Sequence, residues 1–343
     1  LPIPPPPLGF SHEDLAEETR MSEIVAVDIG GTHARFAIAE VADGRVAALG
    51  EAVTMRTAEH ASFQTAWEAF GETLGRPLPT AAGIAVAGPV QGEVLKLTNN
   101  PWVIRPGLMK QKLGLDRFTL VNDFGAVAHA VAQLGDEHFR HLCGAERPLP
   151  ADGVISIVGP GTGLGVAQLL RRDGRYHVLE TEGGHIDFAP LDPIEDRILA
   201  QLRQRYRRVS VERIASGMGL ANLYEALAAI EGRPTALRDE KLLWAAAMAG
   251  EDSLAAAALD RFCLALGAVA GDIALAQGAE GVVIAGGLGR RLTGHLPKSG
   301  FRNRFVAKGR FERRMDDMPV KIIIYPEPGL FGAAAAFAAD HGE

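Results

Sequence analysis

The chain has 343 residues, 47% of them hydrophobic and 22% charged, which allows one large domain or two medium ones around a substantial core. Its net charge is −7 and its pI about 5.8, yet acidic and basic residues are interspersed rather than blocked. No basic face for nucleic acid stands out, so a small-molecule partner is expected instead.

Residues 1–21 read as an N-terminal extension outside the fold. Pro2 and Pro4 to Pro7, followed by the charged stretch Ser11 to Arg20, make neither a signal-peptide core nor a packing element. From Ile24 the pattern is β-rich, with strands expected over Ile24 to Ile29, Ala34 to Val41 and Val46 to Thr54 in an antiparallel meander. Phe63, Ala66, Trp67, Phe70 and Leu74 recur at three and four residues, which predicts an amphipathic helix over Ala61 to Leu74. Strands are expected at Ala81 to Ala87 and Val94 to Thr98, and a polar turn at Asn99 to Trp102. The short apolar strand Phe118 to Val121 stops at Asn122-Asp123, and an Ala-rich helix runs from Phe124 to Leu134.

Further strands are expected at Val154 to Val158, Leu164 to Leu170 and Tyr176 to Glu180. The chain then turns helical over Ile194 to Tyr206, Val211 to Ile214, Leu220 to Ile230, Asp239 to Ala249 and Asp252 to about Gln277. It returns to α/β with the buried strand Gly281 to Ala285, a glycine turn at Gly286 to Gly289, a strand at Val320 to Tyr325 and a helix from Pro328 to about Asp340. The longest apolar run, Leu254 to Ala276, is interrupted by Asp260, Arg261 and Asp272, so no membrane span is expected. Cys143 and Cys263 have no CxxC or Cys/His companions; this argues against a disulfide scaffold and a structural zinc site, and for a reducing cytoplasm.

Two stretches carry the same unusual chemistry. Val27-Asp28-Ile29-Gly30-Gly31-Thr32 takes an apolar strand into a Gly-Gly turn, and Gly159-Pro160-Gly161-Thr162-Gly163 repeats the pattern of strand, glycine turn with Thr, and strand. A carboxylate at a strand end, side-chain-free residues and a hydroxyl suit Mg²⁺ and polyphosphate, because glycine lets backbone N–H groups approach phosphate oxygens. A plain hairpin whose turn needs glycine for positive φ fits either copy alone. The pair favours two related halves facing each other across a cleft.

Asp123, at a strand end that opens a helix, has two readings: a ligand-facing carboxylate at the edge of a sheet, or a helix N-cap. Thr181-Glu182-Gly183-Gly184-His185-Ile186-Asp187 packs three titratable groups into a glycine-rich turn without further ligands at metal-like spacing, and so fits hydrogen bonding to a polyhydroxylated ligand. Gly286-Gly287 leaves room for a flat base against backbone.

In order, DIGGTHARF, LVNDFGAVA, GPGTGLGVA, TEGGHIDFAP, SVERIASGMGL, VIAGGLG and PGLFGAAAA resemble the bacterial glucokinase family, within the actin, Hsp70 and hexokinase superfamily of ATPases. The resemblance runs from about Met21 onward. It implies a two-lobed α/β fold of the actin-like, ribonuclease H type with the ligand cleft between lobes. The small lobe would be 22–133 plus 326–343, and the large lobe, with a helical insertion, 134–325. It also implies ATP-dependent phosphorylation of the glucose 6-hydroxyl, with another hexose, or a non-catalytic sugar sensor, as alternatives. Asn122, Asp123, Glu182, His185 and Glu212 would surround the sugar, and Asp123 would be the catalytic base. Val27 to Thr32, with Gly161 and Thr162, would hold phosphates, Asp28 would hold Mg²⁺ through water, and Gly286 and Gly287 would line the adenosine pocket. A homodimer is a further expectation from the resemblance. The related repressor/ORF/kinase branch carries a zinc-binding cysteine cluster that two dispersed cysteines cannot build.

Overall fold

The computed structural model describes residues 21–97, 100–236 and 239–342. Apart from Met21, the expected extension lies outside the described residues, as do Thr98 and Asn99 of the expected strand and turn.

The first half opens with β1 (Ser22–Ile29), β2 (His33–Ala42), β3 (Arg45–Leu49) and β4 (Val53–Arg56). The single expected strand over Val46 to Thr54 is two strands, both paired with β2. After α1 (Phe63–Leu74) and β5 (Ala81–Val86) come a small ribbon of β6 (Leu95–Lys96) and β7 (Val103–Ile104), then α2 (Pro106–Leu113), β8 (Arg117–Asn122) and α3 (Asp123–Gln133). The sheet runs β3-β2-β1-β5-β8, with β1, β5 and β8 parallel. Helix α2 was missed in the sequence, although Pro106 at its first turn and the left-handed Gly114 after its last are the usual start and stop.

The second half repeats this plan. After β9 (Phe139–Cys143) come β10 (Gly153–Pro160), β11 (Leu164–Arg172) and β12 (Arg175–Thr181), then α4 (Pro193–Arg205), α5 (Gly217–Glu231), α6 (Glu240–Ala249) and α7 (Ser253–Gln277). The chain closes with β13 (Gly281–Ile284), α8 (Gly286–Arg291), α9 (Phe301–Val306), α10 (Glu312–Asp317), β14 (Val320–Ile323) and α11 (Pro328–His341). This sheet is ordered β12-β11-β10-β13-β14-β9, the first five strands matching β3-β2-β1-β5-β8. Even the hairpin tips correspond: Asp43-Gly44 and Asp173-Gly174 both have two consecutive positive φ angles, the geometry a two-residue hairpin needs to follow the strand twist. Helix α7 is long and apolar enough to span a bilayer by length and composition, but 72% of its most apolar stretch is buried in the core of this half.

Alternation along β1 explains how each sheet is covered. Val25, Val27 and Ile29 face α1 in a cluster with Phe36, Phe63, Trp67 and Trp102, while Ile24 and Ala26 face Leu330, Ala334 and Phe337 of α11. Helix α3 follows the first sheet but packs through Val127, Ala128 and Val131 on Ile155, Ile157, Ala167 and Leu169 of the second. Helix α11 follows the second sheet and covers the first. The two therefore cross between the sheets, and their small residues let the backbones nearly touch: a Cβ on Gly332 would lie 1.7 Å from the Ala126 carbonyl oxygen.

Candidate functional site

Three parallel strands set the floor of the site. Asp28 on β1 is in register with Ala85 on β5, which is in register with Val121 on β8, two residues before Asp123. Both carboxylates thus stand at the carboxyl ends of the three parallel strands of one mixed sheet, where α/β proteins bind ligands. Burial raises the Asp28 carboxyl, Arg35 opposes that rise, and the Glu327 charge adds to it. Burial, then repulsion from Asp28, lifts Asp123 to about 6, against the pull of the Phe124 N–H; Glu180 adds a smaller push. Asp123 is part-buried rather than sealed in the core.

The N-cap of α3 is Asn122, not Asp123. Its side-chain oxygen accepts from Phe124 N at 2.8 Å and Gly125 N at 3.3 Å, and its amide donates to Gly88 O at 3.0 Å. Asp123 is the first helical residue, and its Oδ1 shares the Phe124 N–H at 2.9 Å.

Arg35 was not singled out in the sequence. It lies opposite Asp28 in the β1–β2 register, reaching its carboxylate at 3.3 Å and Glu327 at 3.1 Å. The cross-strand pairing was legible once the hairpin register was known; the Glu327 partner, from the far end of the chain, was not.

The two glycine turns are open. Gly30 N donates to His33 O at 2.9 Å, and Asn100 Nδ2 and Thr57 Oγ1 bond the Gly30 and Gly31 carbonyls at 2.9 and 3.2 Å. Those carbonyls are thus turned into the protein. Neither Gly30 nor Gly31 has positive φ, which removes the plain-hairpin reason for glycine at this turn. In the second turn Gly161 N donates to Gly163 O at 2.9 Å, and Gly217 N, at the start of α5, donates to Gly161 O at 2.7 Å. A side chain on Gly161 would meet nothing within 4 Å, and the same holds for Gly287. The expected turn at Gly286 to Gly289 is instead the first turn of α8.

Glu212 sits beside the second turn and accepts from Leu164 N at 3.0 Å. Glu182 and His185 flank a single helical turn held against the same region, since Gly184 packs onto the Leu164 carbonyl and Val211 N donates to Ile186 O at 2.9 Å. Their side chains, 3.9 Å apart, are 71% and 58% exposed and form a solvated rim. Among the described residues no cluster of three or more His, Cys, Asp or Glu side chains is arranged to hold a metal by itself. The structure thus brings Asn122, Asp123 and Asp28 together at one sheet edge and Glu182, His185 and Glu212 together beside the other glycine turn.

Two contributors had escaped the sequence. Phe124 stands over Gly159 and Gly165, partners across β10 and β11, where any Cβ would fall 2.0 and 2.2 Å from its ring. Glu180, from β12, accepts from Asn122 N at 2.8 Å. Nothing local in the sequence marks that bond, because it joins the two halves.

A family model described as Glucokinase matches residues 25–340. A glucokinase of Zymomonas mobilis is 68% identical over 94% of this chain and 99% of its own. A solved glucokinase from an Antarctic psychrotroph is 34% identical, with a TM-score of 0.81 over 92% of this chain and 98% of that one. A ROK family glucokinase from Streptomyces griseus, solved with glucose and AMPPNP, shares the fold at 22% identity, with a TM-score of 0.57 over 91% of this chain and 98% of that one.

Proposed function

The chain belongs to the glucokinase family, and from that premise we propose that its cleft transfers the γ-phosphoryl group of ATP to the 6-hydroxyl of glucose with Asp123 as the base. The observation that supports this reading is the pair Asp28 and Asp123 on one sheet edge, with Phe124, next to Asp123, packed on Gly159 at the start of the glycine turn of the matching half.

Asn122, Asp123, Glu182, His185 and Glu212 hold the sugar. Carboxylates accept from its hydroxyls, and neutral His and Asn both donate and accept. The exposure of Glu182 and His185 suits a rim that must shed water before the sugar is seated. Asp123 takes the proton from the 6-hydroxyl as that oxygen attacks the γ-phosphorus. The backbone from Val27 through Ile29 to Gly30, Gly31 and Thr32 cradles phosphates from one side; Gly161 and Thr162, with the positive end of α5 behind them, do so from the other. Gly286 and Gly287 border the adenosine.

The donor set fits Mg²⁺ bound through water, because two mutually repelling carboxylates and open phosphate cradles supply what such an ion takes, and no all-protein cage is needed. Asp28 would hold it, and when bound it supplies charge neutralisation for the phosphates. Positioning by the protein supplies the rest.

The lobes divide as 22–133 with 326–343, and 134–325, the crossed helices α3 and α11 lying between. The buried free thiols of Cys143 and Cys263, both pushed up to about 12 by desolvation, suit the cytoplasm. A homodimer is the assembly expected from the family resemblance, and light scattering measures it.

A coupled assay of sugar-dependent ADP release, run with glucose, mannose and fructose, tests the reaction. Asp123→Ala lowers kcat by roughly 10²-fold or more, with a smaller effect on sugar affinity; near-normal turnover in that variant removes Asp123 from its role.

A further inference from the structure

Helix α3 begins with the proposed base, yet it is fastened to the opposite sheet at both ends. At its start the Glu180 carboxylate accepts from Asn122 N at 2.8 Å and lies so near Gly125 that a Cβ there would fall 2.4 Å from Oε1. At its end Arg171, on β11, donates to the Val131 and Ala132 carbonyls at 2.9 and 3.1 Å, and to Pro150 O at 3.1 Å. An anion at the positive end of a helix and a cation at its negative end both oppose the macrodipole, each in the favourable sense. Between them the Phe124 ring fills the gap over Gly159 and Gly165.

We infer that Glu180 is a positioning residue for phosphoryl transfer: through the Asn122 backbone it holds the first turn of α3, and with it Asp123, against the sheet that carries Glu182. The inference rests on Asp123 being the base. Its physical content is a distance. Asp123 follows the last residue of a strand of one sheet while the sugar rim at Glu182 and His185 follows a strand of the other, so their separation depends on contacts that cross between halves. The Asn122 N–H to Glu180 bond is one such contact, and it lies one residue from the carboxyl that must reach the 6-hydroxyl. Glu180 and Glu182 also share one short stretch, so the strand that holds the base is continuous with the turn that holds the sugar. Misplacing a reacting group by about 1 Å can cost on the order of 10²-fold in rate while leaving ground-state binding largely intact.

The test compares Glu180→Ala, Glu180→Gln, Asp123→Asn and the double variant Glu180→Ala/Asp123→Asn, each assayed with saturating ATP and varied glucose, with thermal unfolding as a control. Glu180→Ala is expected to lower kcat by about tenfold or more while the KM for glucose changes less than about threefold. Glu180→Gln, whose amide oxygen can still accept from Asn122 N, recovers most of that loss. In the Asp123→Asn background, Glu180→Ala costs little more, because the group it positions is gone. Wild-type kcat in Glu180→Ala, a loss confined to KM, a Gln variant as impaired as the Ala variant, or an undiminished loss on top of Asp123→Asn each overturns the inference. The two readings fail separately. Full turnover in Asp123→Asn sinks the base assignment, whereas an inactive Asp123→Asn beside an unaffected Glu180→Ala sinks only the role of Glu180.

Discussion

Asp28 and Asp123 close the same edge of three parallel strands with one strand between them, and the charge of the first, after burial, is the largest cause raising the second to about 6. Asp123 accepts a proton only when ionised. The value of kcat/KM, which reports the free enzyme, should therefore fall tenfold per unit as the pH drops below about 6. A limb at ordinary carboxylate pH, near 4, would contradict the burial and repulsion argued for it. In Asp28→Asn the limb moves toward lower pH.

The same shift has a stability consequence of opposite sign to the activity. The folded carboxyl holds its proton more tightly than the unfolded one. Its contribution is therefore fully present below the usual carboxylate range and is lost as the pH rises through about 6. At pH 8 Asp123→Asn should thus unfold at higher denaturant than the parent, by roughly 1–3 kcal/mol, while turning over far more slowly. Lower stability of the variant at that pH would mean that the carboxylate is better solvated than its surroundings indicate.

Gly161 separates what the fold needs from what a ligand needs. Its φ is not positive and no atom lies within 4 Å of the place a Cβ would take, so Gly161→Ala should fold with a melting temperature close to the parent's. The methyl would then occupy the space proposed for phosphate oxygens, and the KM for ATP should rise roughly tenfold, about 1.4 kcal/mol. Unchanged ATP kinetics in a well-folded variant would detach this turn from the nucleotide.

Gly165 is the reverse case, since a Cβ there would collide with Phe124 at 2.2 Å. Gly165→Ala should be destabilised by about 1–3 kcal/mol, the usual cost of overpacking, and impaired in kcat because the displaced ring adjoins Asp123. Phe124→Leu in the same chain should return part of both losses. Additive damage in the double variant would show that the ring and the glycine do not compete for one space.

Much of this was legible before any coordinates. Residues that announce themselves locally, such as the glycines before Thr32 and on either side of Thr162 or the Glu182 and His185 turn, were singled out from spacing and chemistry. By its residues alone Asp123 stood between two roles and the family resemblance chose the base, because the choice depends on which side chain caps α3, and Asn122 takes that place through bonds to its own helix and to Gly88. Helices α9 and α10, at six residues each, are too short for periodicity to register. Glu180, Phe124 and Glu327 were invisible for a different reason. Each acts on a partner distant along the chain, and a side chain's neighbours across a sheet or between halves are products of topology rather than of nearby composition.

The exchange of covering helices between the two sheets governs the order in which the molecule can assemble during synthesis. Strands β1 and β2 emerge early, but Ile24, Ala26, Ala37 and Ala39 are covered by Leu330, Ala334 and Phe337, which leave the ribosome long afterwards. Until then one side of the nascent sheet stays wet and apolar, a surface that invites chaperones or aggregation. Gly332→Ala, which would drive a methyl into the Ala126 carbonyl, should accordingly reveal itself first as a poor yield of soluble protein in cells.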